Sequence, residues 1–202
     1  MSQINLLFST PLYSKQLADN EFVQVQKEIA AILTQAESVS AEVPSWGDTV
    51  KTDYHYRQGD NTANFIEKYR LTYLKNSIVN SVHEYAKGLN YEFYNPIGIR
   101  ESWINFNYRG GYQNSHAHAG SVLSGCYYYC STGQDGDIIF ENPNTVFQSS
   151  LDFPLNTSVN TLNHQMPTAS GLLLLFPSWL RHRVNVNRSD STRVSIAFNI
   201  VP

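Results

Sequence analysis

The sequence predicts an α+β fold that is mainly β, with a helical N-terminal region packed on a C-terminal β core. Two segments with helical periodicity occupy about residues 20–90, and short β-rich runs fill about residues 95–202. Several short strands separated by turn residues are typical of a β sandwich, barrel or jelly roll. No linker rich in Pro, Ser or Gly separates the two regions, so we expect residues 1–202 to form a single domain.

Both helical segments carry an apolar stripe with a spacing near 3.6 residues. The first runs from Glu21 to about Ser38, and Asn20 is a candidate cap. The second spans about residues 61–88, with Gly88 and Asn90 as stop signals. Before them, "LLFSTPLY" could form an edge strand within an extended lead-in over residues 1–15, and residues 40–60 are predicted to be a loop.

Five β-rich runs follow the helices: "GIRESWINFNYRGG", "SVLSGCYYYC", "GDIIFEN", "GLLLLFP" and "TRVSIAFNIV". The first begins at Gly98, and the Gly110-Gly111 pair after it is read as a turn between strands. Its alternation is only partial, since Ile104 and Phe106 share one parity with polar residues, and Trp103 shares the other with Asn105 and Asn107. Neither face of this strand is therefore purely apolar.

Composition argues against several classes of protein. The formal net charge is -3 and the pI is about 6.0, and no basic run stands out, so a nucleic-acid partner is not expected. No apolar run approaches the roughly 18 residues of a membrane span, and we see no secretory signal at the start of the sequence. The two cysteines, Cys126 and Cys130, would lie roughly 13 Å apart in one strand, too far for a disulfide. Two free thiols in the core or lining a pocket suit a cytoplasmic protein.

A pair of histidines carries the first chemical signal. His116 and His118 lie one residue apart, so their side chains share one face of an extended segment and can converge on one metal ion. Alone, such a pair is more often a surface or cross-strand pair. His182 follows an apolar run and a Pro-Ser-Trp turn, and Arg193 lies in the next β run. Three imidazoles can bind a transition metal with open positions, and a buried arginine can hold a carboxylate through two hydrogen bonds.

Four segments together resemble a known family. They are "SWINFNYRGGYQNSHAHAGSVLSGCYYY", "GDIIFENP", "LLLFPSWLRHRV" and "TRVSIAFN". Over about residues 100–200 the sequence is similar to the 2-oxoglutarate and iron(II)-dependent oxygenases, a branch of the double-stranded β-helix dioxygenases. The resemblance implies a double-stranded β-helix (jelly-roll) core, Fe(II), 2-oxoglutarate as cosubstrate, and hydroxylation of a substrate coupled to succinate formation.

The resemblance also implies residue roles. His116 and His182 match the first and the distal histidine ligands of iron, and Arg193 matches the arginine that pairs with the C5 carboxylate of 2-oxoglutarate. Three further matches are to groups that contact the oxo-acid: Tyr128, Asn105 and Asn107.

One position departs from the family pattern. His118 stands where the usual triad of two histidines and one carboxylate has its acid, so the site loses one negative charge. The expected metal set is His116, His118 and His182. The alternative is two histidines with an acid from elsewhere: Asp135, Asp137 or, best placed after a β run, Glu141.

Two other functions remain open at this point. A cupin-like three-histidine metalloenzyme would not use 2-oxoglutarate, and Arg193 would then be structural. A non-catalytic β-sandwich binding module would bind no metal, although a histidine in a buried turn is a costly place for an idle polar group. The substrate, a small molecule or a protein, is not identified, and the helical region could also form the interface of a homodimer. Residues 40–60 and 142–170 are the loops expected to set specificity, and the second is long enough to act as a lid.

The remaining histidines and tryptophans have plainer interpretations. His164 is expected to be exposed in a polar loop, and His55 and His83 to lie at the surface or the core edge. Trp179 is expected to pack in the core beside His182, and Trp103 to lie in the core or in a pocket wall.

Overall fold

The computed structural model describes residues 9–46, 49–54, 63–93, 95–144 and 161–202. The N-terminal elements are β1 (Tyr13–Gln16), α1 (Asp19–Ala30), α2 (Leu33–Val39), β2 (Ala41–Glu42), β3 (Val50–Thr52), α3 (Phe65–Lys68) and α4 (Thr72–Gly88). The C-terminal strands are β4 (Gly98–Asn107), β5 (Gln113–His116), β6 (Leu123–Cys130), β7 (Ile138–Glu141), β8 (Asn163–Met166), β9 (Leu172–Pro177), β10 (His182–Val184) and β11 (Arg193–Val201).

The strands form two antiparallel sheets. The larger sheet has seven strands in the order β1-β9-β6-β11-β4-β3-β2, and the smaller has four in the order β5-β10-β7-β8. Their inner faces share an apolar cluster to which Leu174 and Phe176 of β9 and Phe140 of β7 contribute. The α+β, mainly β prediction and its jelly-roll core are confirmed.

Alternation along the long central strands separates two environments. On β11, Val194, Ile196 and Phe198 pack into the main core with the helices. Arg193 and Ser195, at the intervening positions, point to the opposite side and line a cavity between the sheets. The partial alternation of the sequence reflects this arrangement, because one face of the large sheet is apolar and the other is partly polar.

The helical region supports the outer face of the large sheet. Val25 and Ile29 of α1 and Leu74, Ile78 and Val82 of α4 are all fully buried in the main core. Burying one such aliphatic side chain contributes about 1.5–3 kcal/mol. Removal of the helices would therefore expose the apolar side of the sheet that carries the site.

The predicted helix boundaries needed correction. The first segment breaks after Ala30 into α1 and α2, and its N-cap is Ala18, so the Asn20 cap was wrong. The second segment breaks between α3 and α4 at Arg70, whose φ is 53°. An apolar stripe continues through such a break, and periodicity alone does not detect it. The stop signals are confirmed, since α4 ends at Gly88 and Asn90 adopts a positive φ of 51°.

Two other N-terminal predictions were partly right. An edge strand is present, but it is β1, which begins where the quoted stretch ends and pairs with β9. The 40–60 loop contains a hairpin of β2 and β3, and β3 extends the large sheet by pairing with β4. Among the described residues, none of the helices is both long and apolar enough to cross a membrane.

Candidate metal centre

Three histidine side chains meet in the space between the two sheets. His116 ends β5, His118 follows two residues later, and His182 begins β10 directly opposite His116 in the strand pairing. The ring centroids are 4.3 Å apart for His116 and His182, 5.1 Å for His116 and His118, and 5.3 Å for His118 and His182. One ligand nitrogen from each lies within 4.8 Å of the others. The structure thus brings together the three predicted metal ligands, at a spacing that one ion can bridge after small side-chain rotations.

Main-chain carbonyls fix the orientation of two of these rings. The Nδ1 of His116 lies 2.7 Å from the carbonyl oxygen of Asn114, and the Nδ1 of His182 lies 2.9 Å from that of Leu180. A carbonyl oxygen accepts and never donates, so Nδ1 carries the proton in both rings and Nε2 keeps a free lone pair. Hydrogen bonds of this kind orient metal-binding histidines and select the tautomer.

Burial keeps the three imidazoles neutral. Desolvation lowers the pKa of His182 to about 3 and the pKa of His118 to about 4, with the neighbouring His116 adding to both effects. Desolvation also lowers the pKa of His116. Neutral imidazole is the form that binds a metal ion, so the site offers three nitrogen donors at neutral pH.

His118 is held by its backbone and its neighbours. Its main-chain N–H donates to the carbonyl of Ser178, 2.9 Å away in the turn after β9. The ring of Trp103 lies 5.6 Å from the His118 ring. These contacts keep His118 beside the other two histidines.

None of the three acids considered as a replacement ligand belongs to this cluster in the described part of the chain. The carboxylate of Glu141 lies 3.5 Å from Arg181 and 3.9 Å from Arg183. Asp135 is fully buried in hydrogen bonds with Ser131, Thr132 and Thr168, and Asp137 accepts from Gln165. The donor set of the structure is therefore three imidazoles.

The histidines open into a cavity of about 280 Å³. Several walls come from the inner face of the large sheet, among them Asn105 of β4, Cys126 and Tyr128 of β6, and Arg193 and Ser195 of β11. A mostly preformed cleft with a few convergent polar groups is the usual form of a small-molecule site. Here the histidine nitrogens and a cationic group line the same cavity.

Arg193 is the charged group of the cavity wall. It is only 2% exposed, and its Nη1 donates to the carbonyl oxygens of Gly136 and, at 3.1 Å, Asp135. No carboxylate pairs with it, and its Nε has no partner, within the residues that the structure describes. A buried charge without a counter-ion is costly, so the geometry favours an anionic ligand in this part of the cavity.

Gly136 makes room for this arrangement. A Cβ at this position would lie 2.3 Å from the carbonyl oxygen of Asn185 and 3.1 Å from Nη1 of Arg193, and the φ of Gly136 is 96°. Any other residue would be strained and would press on the guanidinium.

The other predicted contacts divide into two groups. Asn105 and Tyr128 line the cavity, and the Asn105 Oδ1 is buried without a partner among the described residues. Burial raises the pKa of the Tyr128 phenol well above its usual value, so this hydroxyl remains a donor. Asn107 is fully buried on the same face but lies outside the described cavity wall.

The two cysteines are free thiols, as predicted, but they lie on different sides of the sheet. Cys126 lines the cavity, and burial raises the pKa of its thiol to about 11. A register shift between Val194 and Ser195 in the pairing of β6 with β11 rotates Cys130 onto the opposite face, against the main core. Cys126 therefore shares the cavity side of the sheet with Tyr128, and Cys130 does not.

Aromatic side chains form another wall, and sequence reasoning missed most of it. Trp46, Tyr54 and Trp103 line the cavity, with Tyr54 and Trp103 in ring contact at 4.7 Å and Trp46 facing His116 at 6.3 Å. The available signal was two aromatic residues, Trp46 and Tyr54, in a predicted specificity loop. The predicted lid of residues 142–170 falls largely outside the described residues, as does His55.

The exposure of two other histidines and of Trp179 can be compared with prediction. His83 and His164 are exposed as expected, although His164 lies in β8 and not in a loop. Trp179 is 56% exposed, so its predicted core position was wrong. The adjacent Leu180, 4% exposed, takes the buried position in the short turn before β10.

The sequence matches one family model, and the fold is similar to that of solved structures. Residues 101–199 match the model of the family described as "Putative 2OG-Fe(II) oxygenase". No curated protein sequence matches the chain significantly.

Among solved structures, the fold is similar to that of HygX from Streptomyces hygroscopicus, solved with nickel, 2-oxoglutarate and hygromycin B, with a TM-score of 0.62, 12% identity, and coverage of 96% of this chain and 83% of that chain. It is similar to a Pseudomonas putida prolyl-4-hydroxylase, with a TM-score of 0.56, 12% identity, and coverage of 96% and 94%. It is also similar to the α-ketoglutarate-dependent epimerase SnoN from nogalamycin biosynthesis, with a TM-score of 0.64, 12% identity, and coverage of 95% and 78%. At this identity the likeness confirms the double-stranded β-helix fold.

Proposed function

Because the chain belongs, over residues 101–199, to the 2OG-Fe(II) oxygenase family, we propose that it is an oxidoreductase that hydroxylates a small molecule or a protein side chain with 2-oxoglutarate as cosubstrate. The observation that carries this proposal is the buried guanidinium of Arg193, which has no carboxylate partner among the described residues and lies in the same cavity as the three-histidine cluster. The two features together support a metal and an anion bound in one site.

We assign the metal to His116, His118 and His182. Three neutral nitrogen donors, two of them fixed through Nδ1, fit a divalent transition metal with open positions for further ligands. When bound, iron(II) supplies the redox chemistry by which dioxygen converts 2-oxoglutarate to succinate and carbon dioxide and oxidises the substrate. Without a carboxylate in the set, the ligands leave the full charge of the ion uncompensated, and a bound oxo-acid dianion would offset it.

The far end of the oxo-acid is assigned to the polar wall. Arg193 donates to the C5 carboxylate, which provides the counter-ion that the buried guanidinium lacks. Tyr128 donates its hydroxyl to the same carboxylate, and Asn105 offers an amide within the cavity. These groups orient the oxo-acid and keep its charged end out of water.

We assign the substrate to the aromatic wall of Trp46, Tyr54 and Trp103, next to His116 and His118. Aromatic faces supply large apolar contact area without loss of much side-chain freedom. The names of the structural neighbours include a hydroxylase and an epimerase. Product analysis, with incorporation of labelled oxygen into the product, therefore distinguishes hydroxylation from a redox-neutral outcome.

An anaerobic titration tests the assignment. Iron(II) and then 2-oxoglutarate are added to the apoprotein, and the weak visible charge-transfer band of a chelated iron–oxo-acid complex is recorded. The band is expected in the wild type and lost in Arg193→Ala, while Arg183→Ala, at the partly exposed Arg183, serves as the control. Succinate release under iron, ascorbate and oxygen follows turnover, and no succinate with any candidate substrate and no uncoupled turnover would contradict the proposal.

A second candidate is favoured by one observation, the histidine in the acid position. A cupin-like three-histidine enzyme would use the same metal set without 2-oxoglutarate, and Arg193 would then serve the fold. In that case Arg193→Ala would keep both metal binding and activity. Retention of metal without any oxo-acid band in the wild type would point the same way.

A further inference from the structure

Asn107 and Arg193 share an unusual feature, which is polar atoms buried without partners. Both side-chain atoms of Asn107, Oδ1 and Nδ2, and the Nε of Arg193 lack hydrogen bonds among the described residues. Asn107 is 0% exposed and Arg193 is 2% exposed. Each buried polar group without a partner costs about 1–3 kcal/mol, and native proteins seldom leave such groups unpaired.

The two residues are neighbours on adjacent strands of the large sheet. Asn107 of β4 is paired directly with Arg193 of β11 in the strand register. Directly opposite residues project to the same face, with Cβ atoms roughly 4.5–5.5 Å apart. The unpartnered atoms are also complementary, because Nε–H can only donate and an amide oxygen accepts.

The backbone of Asn107 is held on both sides. Its carbonyl accepts from Nδ2 of the fully buried Asn187 at 2.9 Å, and β3 pairs with it through Val50 on the other side. Both contacts hold the backbone of Asn107, and its side chain is fully buried. The next pair along the same face, Asn105 and Ser195, lines the cavity, whereas Asn107 lies outside the described wall.

We propose that Asn107 is a positioning residue for Arg193, whose Nε donates to the Asn107 amide directly or through one buried water. With Nη1 held by the carbonyls of Asp135 and Gly136, this second anchor fixes the plane of the guanidinium and directs Nη2 to the ligand. Asn107 then sets the affinity for the distal carboxylate of the oxo-acid without contacting it. This inference rests on the proposed function, and it revises the sequence-based role of Asn107 as a direct contact.

The test compares two oxo-acids on the cobalt(II)-loaded protein by calorimetry without oxygen. 2-Oxoglutarate has the distal carboxylate, and 2-oxobutyrate lacks it. Asn107→Leu keeps the volume and removes the acceptor, and Asn107→Asp supplies a competing carboxylate to Arg193. We expect a loss of about tenfold in 2-oxoglutarate affinity for Asn107→Leu, or about 1.4 kcal/mol, a larger loss for Asn107→Asp, and no change for 2-oxobutyrate.

A matched control is Asn199→Leu, because Asn199 is a buried amide of β11 whose hydrogen bonds go to Ser124 and Glu101. It should lower thermal stability and leave the ratio of the two affinities unchanged. An equal loss for both oxo-acids in the Asn107 variants, or no loss, would overturn the positioning role. If the wild type itself binds 2-oxoglutarate no better than 2-oxobutyrate, the proposed function fails at Arg193 and this inference fails with it.

Discussion

Replacing Arg193 by methionine separates a ligand-binding arginine from a structural one. Methionine keeps most of the volume but removes the charge and all donors. If the Arg193 guanidinium serves the fold, its removal should destabilise the protein. If it serves to bind an anion, its removal should instead stabilise the ligand-free protein, because a buried charge is lost.

The structure gives the terms of this balance. The variant loses two charge-assisted hydrogen bonds from Nη1, to Asp135 and Gly136, each worth about 1.5–3 kcal/mol. Removing the charge also relieves the cost of burying a cation without a counter-ion among the described residues, which is several kcal/mol per ion. The relieved desolvation cost is about as large as the two lost hydrogen bonds or slightly larger, so we expect a stability between that of the wild type and about 2 kcal/mol above it.

Thermal unfolding of the cobalt(II)-loaded protein, with and without 2-oxoglutarate, measures both effects. In a domain of this size about 1 kcal/mol shifts Tm by about 2–4 °C, so the free variant should unfold between the wild-type Tm and about 8 °C above it. At 100 times its Kd a ligand adds about 2.7 kcal/mol, and this increment should be present in the wild type and absent in Arg193→Met. Arg183→Met, at a partly exposed arginine, should behave as the wild type.

A fall in the Tm of the free variant by more than about 5 °C would refute this reasoning. It would mean that the two main-chain hydrogen bonds outweigh the desolvation of the charge, and that Arg193 stabilises the fold. A retained response to 2-oxoglutarate would refute the assignment of the distal carboxylate to this residue.

Three further substitutions test the proposed metal ligands and the packing of Gly136 beside Arg193. His182→Ala removes a proposed ligand whose Nδ1 is hydrogen-bonded to the carbonyl of Leu180. We expect the affinity for cobalt(II) to fall by about 10-fold or more, so metal analysis after desalting should show less bound cobalt. An unchanged cobalt content would exclude His182 from the metal ligands. His118→Asp restores a carboxylate at this position, so we expect retained metal and a preference shifted toward harder ions such as manganese(II) in competition titrations, whereas complete loss of metal would show that the pocket accepts imidazole alone. Gly136→Ala should lower Tm and weaken 2-oxoglutarate binding together, because its Cβ would press on Asn185 and Arg193, and an unaltered affinity would separate Gly136 from the site.

The pairing of His116 with His118 could be predicted because their spacing is local. Residues i and i+2 of an extended segment always share a face, so His116 and His118 were placed together before any fold was known. His182 needed long-range information, which the resemblance supplied. The strands that carry these residues, β5 and β10, were not predicted, because "QNSH" and "HRV" are short and polar and gain their strand conformation from pairing with each other.

The misses share a physical cause, which is backbone geometry that side-chain patterns do not encode. A positive φ at Arg70 interrupts a continuous apolar stripe, and a register shift beside β6 moves Cys130 to the other face. Trp46 and Tyr54 reach the cavity because the predicted loop folds partly as the β2–β3 hairpin beside β4. Tertiary contacts decide all of these positions.

The distribution of polarity across the large sheet links stability to function. On its outer face, β4 and β11 bury apolar side chains such as Ile104, Ile196 and Phe198 against the helices, and these contacts contribute to the free energy of folding. On its inner face the same strands bury Asn105, Asn107 and Arg193 with unpartnered atoms, which costs stability. A sheet covered on one side by helices can tolerate this cost on the other, because each strand is anchored by its outer residues. The residues of the inner face can therefore serve ligand binding at some cost in stability. Substitutions that give their polar atoms hydrogen-bond partners within the protein should stabilise the ligand-free protein and weaken ligand binding at the same time.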